Sequence, residues 1–283
     1  MKILITGANG QLGQDIQKVC QQNSIEYIAA DSRTLDISHD SEVQDFVKNN
    51  PMDAIINCAA YNAVDLAETE WKKAYRVNGL DVRNLAIAAN SVDALLVHFS
   101  TDYVFDGVTR IPYTIADPPN PISRYGMSKL LGETMARDIA DRFILIRTSW
   151  VFGKGNENFS KKILRWSENK TELKVVDDQI ASPTYTSDLA KATLDVINKK
   201  SRGIYHITNS NYCSRYEWAE YILTKIGWNG KILRGSSDEF NSAARRPAFS
   251  VLDNFGTPEI LGYSLPDWKD ATERFFKELE GVS

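Results

Sequence analysis

Short apolar runs alternate with amphipathic stretches over the first half of the chain. The apolar runs fall at 2–6, 27–30, 53–57, 95–99 and 143–147, and each predicts a strand. Helical periodicity occupies the stretches between them, at 11–22, 41–49, 71–90 (despite Gly79) and 125–140. Because the run at 53–57 is nearly all apolar, that strand is expected to be buried on both faces. This is typical of α/β proteins with a parallel sheet.

The simple alternation loosens after residue 152. Helices are predicted at 158–169, 186–198, 214–226 and 268–279, and strands at 173–176 and 204–207. The helix at 186 is expected to open on Ser187-Asp188, and the helix at 214 on a capping box of Ser214 and Glu217. These patterns predict a main domain over 1–152 and a smaller lobe over 153–283, with segment 174–199 returning to the main domain.

A glycine-rich turn follows the first strand directly. Glycines at 7, 10 and 13 stand between that strand and a helix, in the order G-x-x-G-x-x-G. They allow a tight turn, let backbone N–H groups approach a pyrophosphate, and let the helix pack closely on the strand. This context predicts a doubly wound, Rossmann-like sheet that binds a dinucleotide at residues Gly7, Gly10, Gln11, Leu12 and Gly13.

The second strand ends at an acid that could set the choice of cofactor. Asp31 lies about twenty residues past the glycines, where a carboxylate can accept hydrogen bonds from the adenosine ribose. Arg33 could stack on adenine or neutralise a ribose phosphate, so both NADP(H) and NAD(H) remain open. Asp36 and Ile37 lie where an acid and an apolar side chain could bracket the adenine.

Candidate chemistry lies at the carboxyl ends of the later strands. Small residues, Cys58, Ala59 and Ala60, follow the third strand and leave room for a cofactor, since ligands of open α/β sheets bind at that edge. The fourth strand delivers the hydroxyl of Thr101 to the same edge. If 125–140 is helical, Tyr125 and Lys129 share one face, and the ammonium is expected to lower the pKa of the phenol toward neutrality.

Composition excludes several classes of partner. With 43% hydrophobic and 25% charged residues the chain is globular, and a net charge of −4 argues against nucleic acid or an anionic membrane as partner. No apolar run approaches the length of a membrane span. Cys20, Cys58 and Cys213 are interpreted as buried thiols of a reducing compartment, which predicts a cytoplasmic protein. The three histidines form no metal-ligand pattern with the cysteines, so no metal is predicted.

Five ordered motifs together resemble a known family over essentially the whole chain. They read TGANGQLG at 6–13, AAY at 59–61, STDYVF at 100–105, YGMSK at 125–129 and RTSWV at 147–151. This set is similar to the extended short-chain dehydrogenase/reductases and, within them, to the dTDP-4-dehydrorhamnose reductases. DQ at 178–179, SPT at 182–184 and RP at 246–247 with Ser250 resemble the substrate-lobe signatures of that family.

The resemblance implies roles for single residues. Tyr125 would donate the proton, Lys129 would hold the nicotinamide ribose, and Thr101 would hydrogen-bond the substrate carbonyl. Hydride would pass from NAD(P)H to C4 of dTDP-4-dehydro-L-rhamnose and give dTDP-L-rhamnose. Asp102 and Trp150 would line the sugar site, with the flat face of Trp150 against the sugar ring. The substrate diphosphate would meet the cations Arg246, Arg245 and, as a weaker candidate, Lys154.

A few positions depart from the family pattern. Cofactor contacts are also implied for Ala59, Ala60, Tyr61 and Asn62, but Asn62 stands where a threonine is expected, and Ala181 replaces a usual glycine. Some relatives pair through a metal held by acidic side chains, and the matching positions here are Asp15, Ser187 and Glu278. A serine among them argues against a metal-linked dimer, so both a monomer and a homodimer remain open.

Two other functions fit the same fold. An NDP-sugar dehydratase would carry an Asp-Glu pair after the catalytic threonine, whereas Tyr103 follows Asp102 here; an epimerase usually reads Ser-Ser-x-x-Val-Tyr-Gly at this strand end. The second is a non-catalytic, NADP-binding regulatory subunit such as the β subunit of methionine adenosyltransferase. The presence of Thr101, Tyr125 and Lys129 favours an enzyme that acts on a nucleotide sugar.

Overall fold

The computed structural model of the protein describes residues 1–281. Its strands are β1 (Lys2–Thr6), β2 (Glu26–Ala30), β3 (Ala54–Asn57), β4 (Leu95–Thr101), β5 (Phe143–Thr148), β6 (Val151–Phe152), β7 (Glu172–Val176), β8 (Ile180–Ala181), β9 (Thr184–Tyr185), β10 (Gly203–His206), β11 (Cys213–Ser214) and β12 (Lys231–Gly235). Its α-helices are α1 (Gln11–Gln22), α2 (Asp40–Asn49), α3 (Trp71–Tyr75), α4 (Asp81–Ser91), α5 (Arg124–Ile139), α6 (Phe159–Asn169), α7 (Thr186–Asn198), α8 (Arg215–Lys225), α9 (Thr257–Leu261) and α10 (Trp268–Leu279). None of them is both long and apolar enough to cross a lipid bilayer.

Six of the strands form one parallel sheet. Its order is β10-β5-β4-β3-β1-β2, and every neighbouring pair is parallel. From β1 the chain moves to one side through β2 and then to the other side through β3, β4 and β5. The carboxyl ends of β1 and β3 therefore diverge into loops on opposite sides, which opens a crevice at that edge. The predicted Rossmann-like doubly wound sheet is confirmed.

Helices cover both faces of this sheet and bury its strands. On one face α1 and α7 form a core with alternate strand residues, including Ile3, Ile5 and Val97. On the other face α2, α4 and α5 pack against the intervening positions, including Leu4 and Leu96. Burial on both faces explains why the strands are continuously apolar in sequence.

The smaller lobe is built on an aromatic core. α6, α8 and α10 surround the short pairs β12-β7, β11-β8 and β6-β9. Trp218 is fully buried at its centre and lies against Phe152 and Phe159 at centroid distances of 5.2 and 5.0 Å. Ala181, which replaces a usual glycine, is fully buried in β8 in the same core.

The predicted boundary of the returning segment is wrong at both ends. The strand at 173–176 pairs with β12 in the smaller lobe and does not rejoin the main sheet. The predicted bounds also place the strand at 204–207 in the smaller lobe, but β10 pairs with β5 as the edge strand of the main sheet. The returning segment is therefore α7 with β10, because α7 offers an apolar face to α1 and brings β10 alongside β5.

The predicted helix at 71–90 is interrupted by a π-helical segment. Arg76–Leu80 forms the π turn between α3 and α4, and Gly79 lies within it. A Cβ on Gly79 would lie 2.5 Å from Cδ2 of Leu131, so this glycine lets α5 approach closely. Such π turns often re-aim side chains at functional sites, and this one directs Asn78 inward, where it is fully buried.

Of the two predicted helix caps, only one is present. Ser214 and Glu217 form the predicted capping box at the start of α8. The predicted cap at Ser187-Asp188 is wrong, since α7 begins at Thr186 and its N-cap residue makes no side-chain hydrogen bond. Asp188 instead forms an ion pair of 2.6 Å with Arg274 of α10, which ties α7 to the smaller lobe.

Candidate active site

A cleft of about 580 Å³ lies between the carboxyl edge of the sheet and the smaller lobe. On the sheet side its walls include the glycine turn, the residues after β3 and the end of β4. On the lobe side they include the loop before α6, strand β7 and the start of α8. All three predicted catalytic residues, Thr101, Tyr125 and Lys129, line this cleft.

The glycine turn has the geometry that a dinucleotide requires. Gly7 has a φ of +63°, and a Cβ there would lie 2.5 Å from the backbone N of Ala59. A Cβ on Gly13 would lie 2.6 Å from the carbonyl oxygen of Gly7. Gly10 is the N-cap of α1 and makes no side-chain cap bond, so the first N–H groups of a twelve-residue helix remain available for an anion. The turn therefore fits the pyrophosphate of NAD(P).

Three residues of this turn, Gly10, Gln11 and Leu12, line the cleft, whereas Gly7 and Gly13 shape the turn from behind. The carboxamide of Gln11 accepts a 2.9 Å hydrogen bond from Nδ2 of Asn158. Asn158 also caps α6 by accepting from the N–H of Lys161. The smaller lobe thus holds the side chain of Gln11 in place at the start of α1.

Asp31 and Arg33 form an ion pair beside the glycine turn. Their side chains are joined at 2.8 Å, and Asp31 also accepts hydrogen bonds from Asn9 (2.8 Å) and Thr34 (3.0 Å). The bonds from Arg33 and Thr34 hold the pKa of Asp31 well below its usual range. The guanidinium is largely exposed, so the pair presents both charges at the predicted ribose position outside the cleft.

Only some of the other predicted cofactor residues line the cleft. Ala59, Ala60 and Asn62 line the cleft. Ile37 is instead buried in the core formed with α2 and α4, and Asp36 accepts a 2.9 Å hydrogen bond from the N–H of Ser38. These two residues therefore lie outside the cleft.

Asn78 positions the segment after β3. Its side chain accepts a 2.8 Å bond from the N–H of Tyr61 and donates to the carbonyl of Tyr61 (3.0 Å) and to Oγ of Ser128 (2.9 Å). The π turn thus joins the backbone at Tyr61 to α5. The sequence interpretation missed Asn78, and the signal that could have found it was an Asn-Gly pair inside a helical pattern.

The catalytic candidates come from two elements. Thr101 ends β4, where its hydroxyl donates to Asp102 (2.9 Å) and accepts from the N–H of Tyr103 (3.2 Å). Tyr125 and Lys129 lie one turn apart on α5, as predicted. Ser123 caps this helix by accepting a 3.1 Å bond from the N–H of Gly126. Ends of a strand and a helix therefore fix all three side chains on rigid backbone.

The predicted effect of Lys129 on Tyr125 is wrong for the protein alone. Burial and the charge of Asp102 raise the pKa of Tyr125, while a hydrogen bond with Thr101 acts in the other direction. Burial also lowers the pKa of Lys129 to about 8, and its ammonium donates a 2.6 Å bond to the carbonyl of Phe99. The phenol is therefore held in its protonated form at neutral pH.

Asp102 directly follows Thr101 and is almost fully buried. Besides Thr101, it accepts a 2.5 Å bond from the hydroxyl of Ser250, in the segment after the RP motif. Burial raises the pKa of Asp102 to about 6, against the effect of these two hydrogen bonds. Asp102 thus joins the end of β4 to the smaller lobe.

Trp150 lines the cleft, but only a small part of its ring is exposed. It is 9% exposed, belongs to the core of the smaller lobe and stacks on Trp218 with an interplanar angle of 9°. The guanidinium of Arg215 lies 3.6 Å over the Trp150 ring. One face of the indole is therefore covered by a cation, and the sugar cannot stack on that face while Arg215 occupies it.

Arg215 is a second residue that the sequence interpretation missed. It lines the cleft from the first position of α8 and also lies 4.8 Å over the ring of Phe159. A cation at a helix N-terminus is unfavourable because it opposes the helix dipole. Its position at the start of a predicted helix was therefore the sequence signal that Arg215 could have a functional role. Within residues 1–281 no carboxylate lies within ion-pair distance of Arg215. Burial lowers the pKa of Arg215, while Tyr103 and the carboxylate of Asp102 act in the other direction.

The predicted diphosphate cations do not all reach the cleft. Arg246 does, but it is paired at 2.7 Å with Asp65 on the sheet side. Arg245 and Lys154 are exposed and do not line the cleft. Arg215 and Arg246 are therefore the two arginines on the cleft wall.

Two further predictions concern cysteines and a metal. Cys20 and Cys213 are buried, but Cys58 is only half-buried because it lines the cleft; all three are free thiols. Asp15 and Glu278, two positions of the possible metal site, are bridged by the ammonium of Lys18 at 2.9 and 2.8 Å. Within residues 1–281 no group of three or more acidic, histidine or cysteine side chains could hold a metal ion.

Comparison with known proteins identifies the family. The family described as RmlD substrate binding domain matches residues 1–280. The spore coat polysaccharide biosynthesis protein SpsK of Bacillus subtilis is 39% identical over 98% of this chain and 97% of its own.

Two crystal structures are similar over their whole length. A dTDP-4-dehydrorhamnose reductase of Clostridium acetobutylicum is 40% identical with a TM-score of 0.96, covering 99% of this chain and 100% of its own. The dTDP-4-dehydrorhamnose reductase of Bacillus anthracis, solved in complex with NADP, is 38% identical with a TM-score of 0.94, covering 98% of this chain and 99% of its own. The chain therefore belongs to the RmlD family of dTDP-4-dehydrorhamnose reductases, within the extended short-chain dehydrogenase/reductases.

Proposed function

We propose that the protein reduces the C4 carbonyl of dTDP-4-dehydro-L-rhamnose to the alcohol of dTDP-L-rhamnose with NAD(P)H. The observation that carries this proposal is the convergence of Thr101, Tyr125 and Lys129 in one cleft that also contains the glycine turn. Family membership makes the chain an NAD(P)H-dependent oxidoreductase. The substrate and the role of each residue are inferred from the site.

The protein's own groups suit carbonyl reduction. A reduced nicotinamide bound in the cleft supplies the hydride that adds to C4. As negative charge develops on the carbonyl oxygen, the hydroxyls of Thr101 and Tyr125 are the donors that can meet it. Tyr125 then transfers its proton to the oxygen, because an alkoxide is a stronger base than a phenolate.

The residues that hold the cofactor follow from the shape of the sheet edge. Gly10, Gln11 and Leu12 present the helix N-terminus to the pyrophosphate. Ala59 and Ala60 keep the adjoining wall small. Gly7, Gly13, Tyr61 and Asn62 support this wall. The ammonium of Lys129 is buried and donates to the carbonyl of Phe99, one helical turn from Tyr125, and we assign it to the nicotinamide ribose.

At the other end of the cleft the smaller lobe supplies the nucleotide contacts. Arg215 carries a guanidinium without a carboxylate counterion in the described residues, and such a fork suits a phosphate bidentately. Arg246 lies on the same cleft, so these two arginines are assigned to the substrate diphosphate. Trp150 supports Arg215, and Asp102 is assigned to the sugar hydroxyls.

The site argues against the competing activities. A dehydratase needs an acid and a base beside the catalytic threonine to remove a proton and expel a hydroxyl. Here Tyr103 follows Asp102 and lies 6.0 Å from the ring of Tyr125, and Asp102 is hydrogen-bonded to Thr101 and Ser250. A reductase needs only a bound cofactor and the two hydroxyl donors, Thr101 and Tyr125, which line the cleft.

The test is an assay of purified protein with NADPH and NADH in parallel. With dTDP-4-dehydro-L-rhamnose, the absorbance of the reduced cofactor should fall and dTDP-L-rhamnose should form. dTDP-4-keto-6-deoxy-D-glucose serves as the comparison substrate, and faster turnover of that sugar would reassign the substrate. Oxidation of neither cofactor with either sugar, although NADPH binds, would contradict the proposal in favour of a binding protein.

The cellular context is part of this proposal. A nucleotide-sugar reductase that feeds the synthesis of cell-surface polysaccharide acts where its nucleotide substrates are made, so we infer a cytoplasmic location. Free thiols at Cys20, Cys58 and Cys213 agree with a reducing compartment. The partner is a nucleotide sugar rather than nucleic acid or a membrane, and the protein acts as a monomer or homodimer.

A further inference from the structure

A buried ion pair lies directly behind the catalytic residues. Glu133 of α5 and Arg147 of β5 are each 3% exposed. Two parallel bonds join them, from Nε to Oε1 at 2.9 Å and from Nη2 to Oε2 at 2.7 Å. The hydroxyl of Ser100 donates a third bond of 2.5 Å to Oε1 of Glu133. The carboxylate is therefore fully hydrogen-bonded away from water.

These contacts join the three elements that carry the active site. Glu133 lies one turn after Lys129 and two turns after Tyr125 on the same helix. Ser100 immediately precedes Thr101 on β4 and is paired in register with Arg147 on β5. The carboxylate of Glu133 thus links α5, which carries Tyr125, to β4, which carries Thr101.

Glu133 also carries the negative charge that stabilises the ammonium of Lys129. The groups around the ammonium are His98 and the carbonyl of Phe99 on β4 and Glu133 on α5, with Arg147 of β5 behind that carboxylate. Burial lowers the pKa of Lys129, and Glu133 is the charge that opposes this effect. Burial and Lys129 lower the pKa of His98 well below its usual value, so His98 supplies no negative charge.

We infer that Glu133 is a positioning residue for the reduction, held by Arg147 and Ser100, which keeps Lys129 charged and keeps Tyr125 aligned with Thr101. This inference rests on the proposed function, since it assigns a task to the same site. Stability alone is a weak reason for such a pair, because apolar residues of similar volume often replace buried ion pairs without loss. The arrangement instead places one negative charge where the site needs it.

The test is the variant Glu133→Gln, which keeps the size of the side chain and removes its charge. We expect turnover to fall by about 100-fold, the scale for a catalytic group displaced by about 1 Å. The alkaline loss of kcat/KM should also move by about 1 pH unit or more to lower pH, because Lys129 loses the charge that opposes its burial. NADPH affinity, measured by fluorescence titration, should fall over the same shifted range.

Two further variants separate positioning from folding. Glu133→Leu combined with Arg147→Met removes both charges and should keep the fold by thermal melting. It should still shift the alkaline limb to lower pH, but by less than Glu133→Gln, because the cation behind the carboxylate is lost as well. Asp138→Asn removes an exposed carboxylate on the same helix and should leave the pH profile unchanged. Because the NADPH titration needs no sugar, the inference remains testable even if the proposed substrate proves wrong.

The inference is overturned if Glu133→Gln folds and retains the alkaline limb and the NADPH affinity of the unmodified protein. It is also overturned if the Glu133→Leu/Arg147→Met protein folds with an unshifted profile, since the charge would then be unnecessary. An equal shift in Asp138→Asn would assign the effect to net charge on the helix and not to Glu133.

Discussion

At Tyr125, burial and a neighbouring carboxylate act on the phenol in the same direction. Both raise its pKa, so the side chain retains its proton through the neutral range until a stronger base appears in the cleft. The alkoxide that forms at C4 is such a base. A proton donor for this reaction therefore needs a well-placed and protonated hydroxyl more than an acidic one.

Tyr125→Phe should reduce turnover by at least ~100-fold, because the donor hydroxyl is lost while the ring and its packing remain. NADPH affinity and the melting temperature should stay within error of the unmodified protein. Tyr221→Phe is the matched control, since its hydroxyl bonds Glu273 on the surface of the smaller lobe. Near-normal turnover of Tyr125→Phe would remove this residue from the role of proton donor.

Arg33 is expected to set the preference between the two cofactors. Arg33→Ala leaves the carboxylate of Asp31 without its ion pair, so a ribose 2′-phosphate would meet an uncompensated negative charge. We expect the affinity for NADPH to fall by ~10-fold or more while the affinity for NADH is retained. Asp31→Ala should do the reverse and weaken NADH more than NADPH. Fluorescence titration checks both, and equal losses for the two cofactors would show that the pair does not contact the ribose.

At the scale of elements, the periodic segments were predictable and the local exceptions were not. Strands β1–β5 lie within one or two residues of their predicted bounds, because burial on both faces leaves a continuous apolar run. The membership of β10 in the main sheet was missed, since pairing of a short strand depends on where α7 packs. The π turn at 76–80 was missed because its cause is the approach of α5, a tertiary contact.

The same limit applies to the site. The motif residues at strand ends were found because topology brings those ends to one edge. Arg215 and Asn78 were not found, since their roles depend on contacts from distant segments, with Trp150 and Tyr61 respectively. The stacking of Trp150 on Trp218 and its contact with Arg215 were not predicted for the same reason. A strand-end aromatic residue has the same sequence signal whether it faces a ligand or a core.

Close contact between α5 and the π turn predicts two unequal glycine substitutions. A Cβ on Gly132 would lie 2.1 Å from the backbone oxygen of Asn78, whereas a Cβ on Gly79 would meet only the side chain of Leu131 at 2.5 Å. Gly132→Ala should therefore lower the free energy of unfolding by ~1–3 kcal/mol and reduce turnover, because α5 must move. Gly79→Ala should cost less, since Leu131 can rotate and helical alanine recovers up to ~1 kcal/mol. Denaturant unfolding compares them, and equal losses would contradict the backbone contact.

At the scale of the whole molecule, the smaller lobe contacts the sheet edge at several points around the cleft. Asp65 pairs with Arg246, and Asp102 accepts from Ser250, so contacts from both sides frame the substrate end. Gln11 bonds Asn158 at the cofactor end. The packing of the lobe thus decides how its arginines are presented to the substrate.

Trp150 and Arg215 provide the sharpest test of this dependence. Arg215→Gln should raise the KM for the nucleotide sugar by ~10-fold or more with little change in kcat, because it removes a contact made equally in the ground and transition states. Trp150→Ala should lower the free energy of unfolding by ~3–5 kcal/mol, since the indole is part of the lobe core. It should also raise the KM, because Arg215 loses the ring that it lies on.

A double-mutant cycle connects the two effects. If Trp150 acts on the substrate through Arg215, the double variant should have the same KM as the single variant with the higher KM. The two losses in substrate affinity should then not add. If the indole instead contacts the sugar directly, the losses in kcat/KM should be additive. Kinetic measurements distinguish these outcomes. They are made at a low temperature at which the melting curve shows each variant to be folded, and NADPH affinity is the common control. Additive losses would return Trp150 to the sugar site and leave Arg215 as an independent contact to the diphosphate.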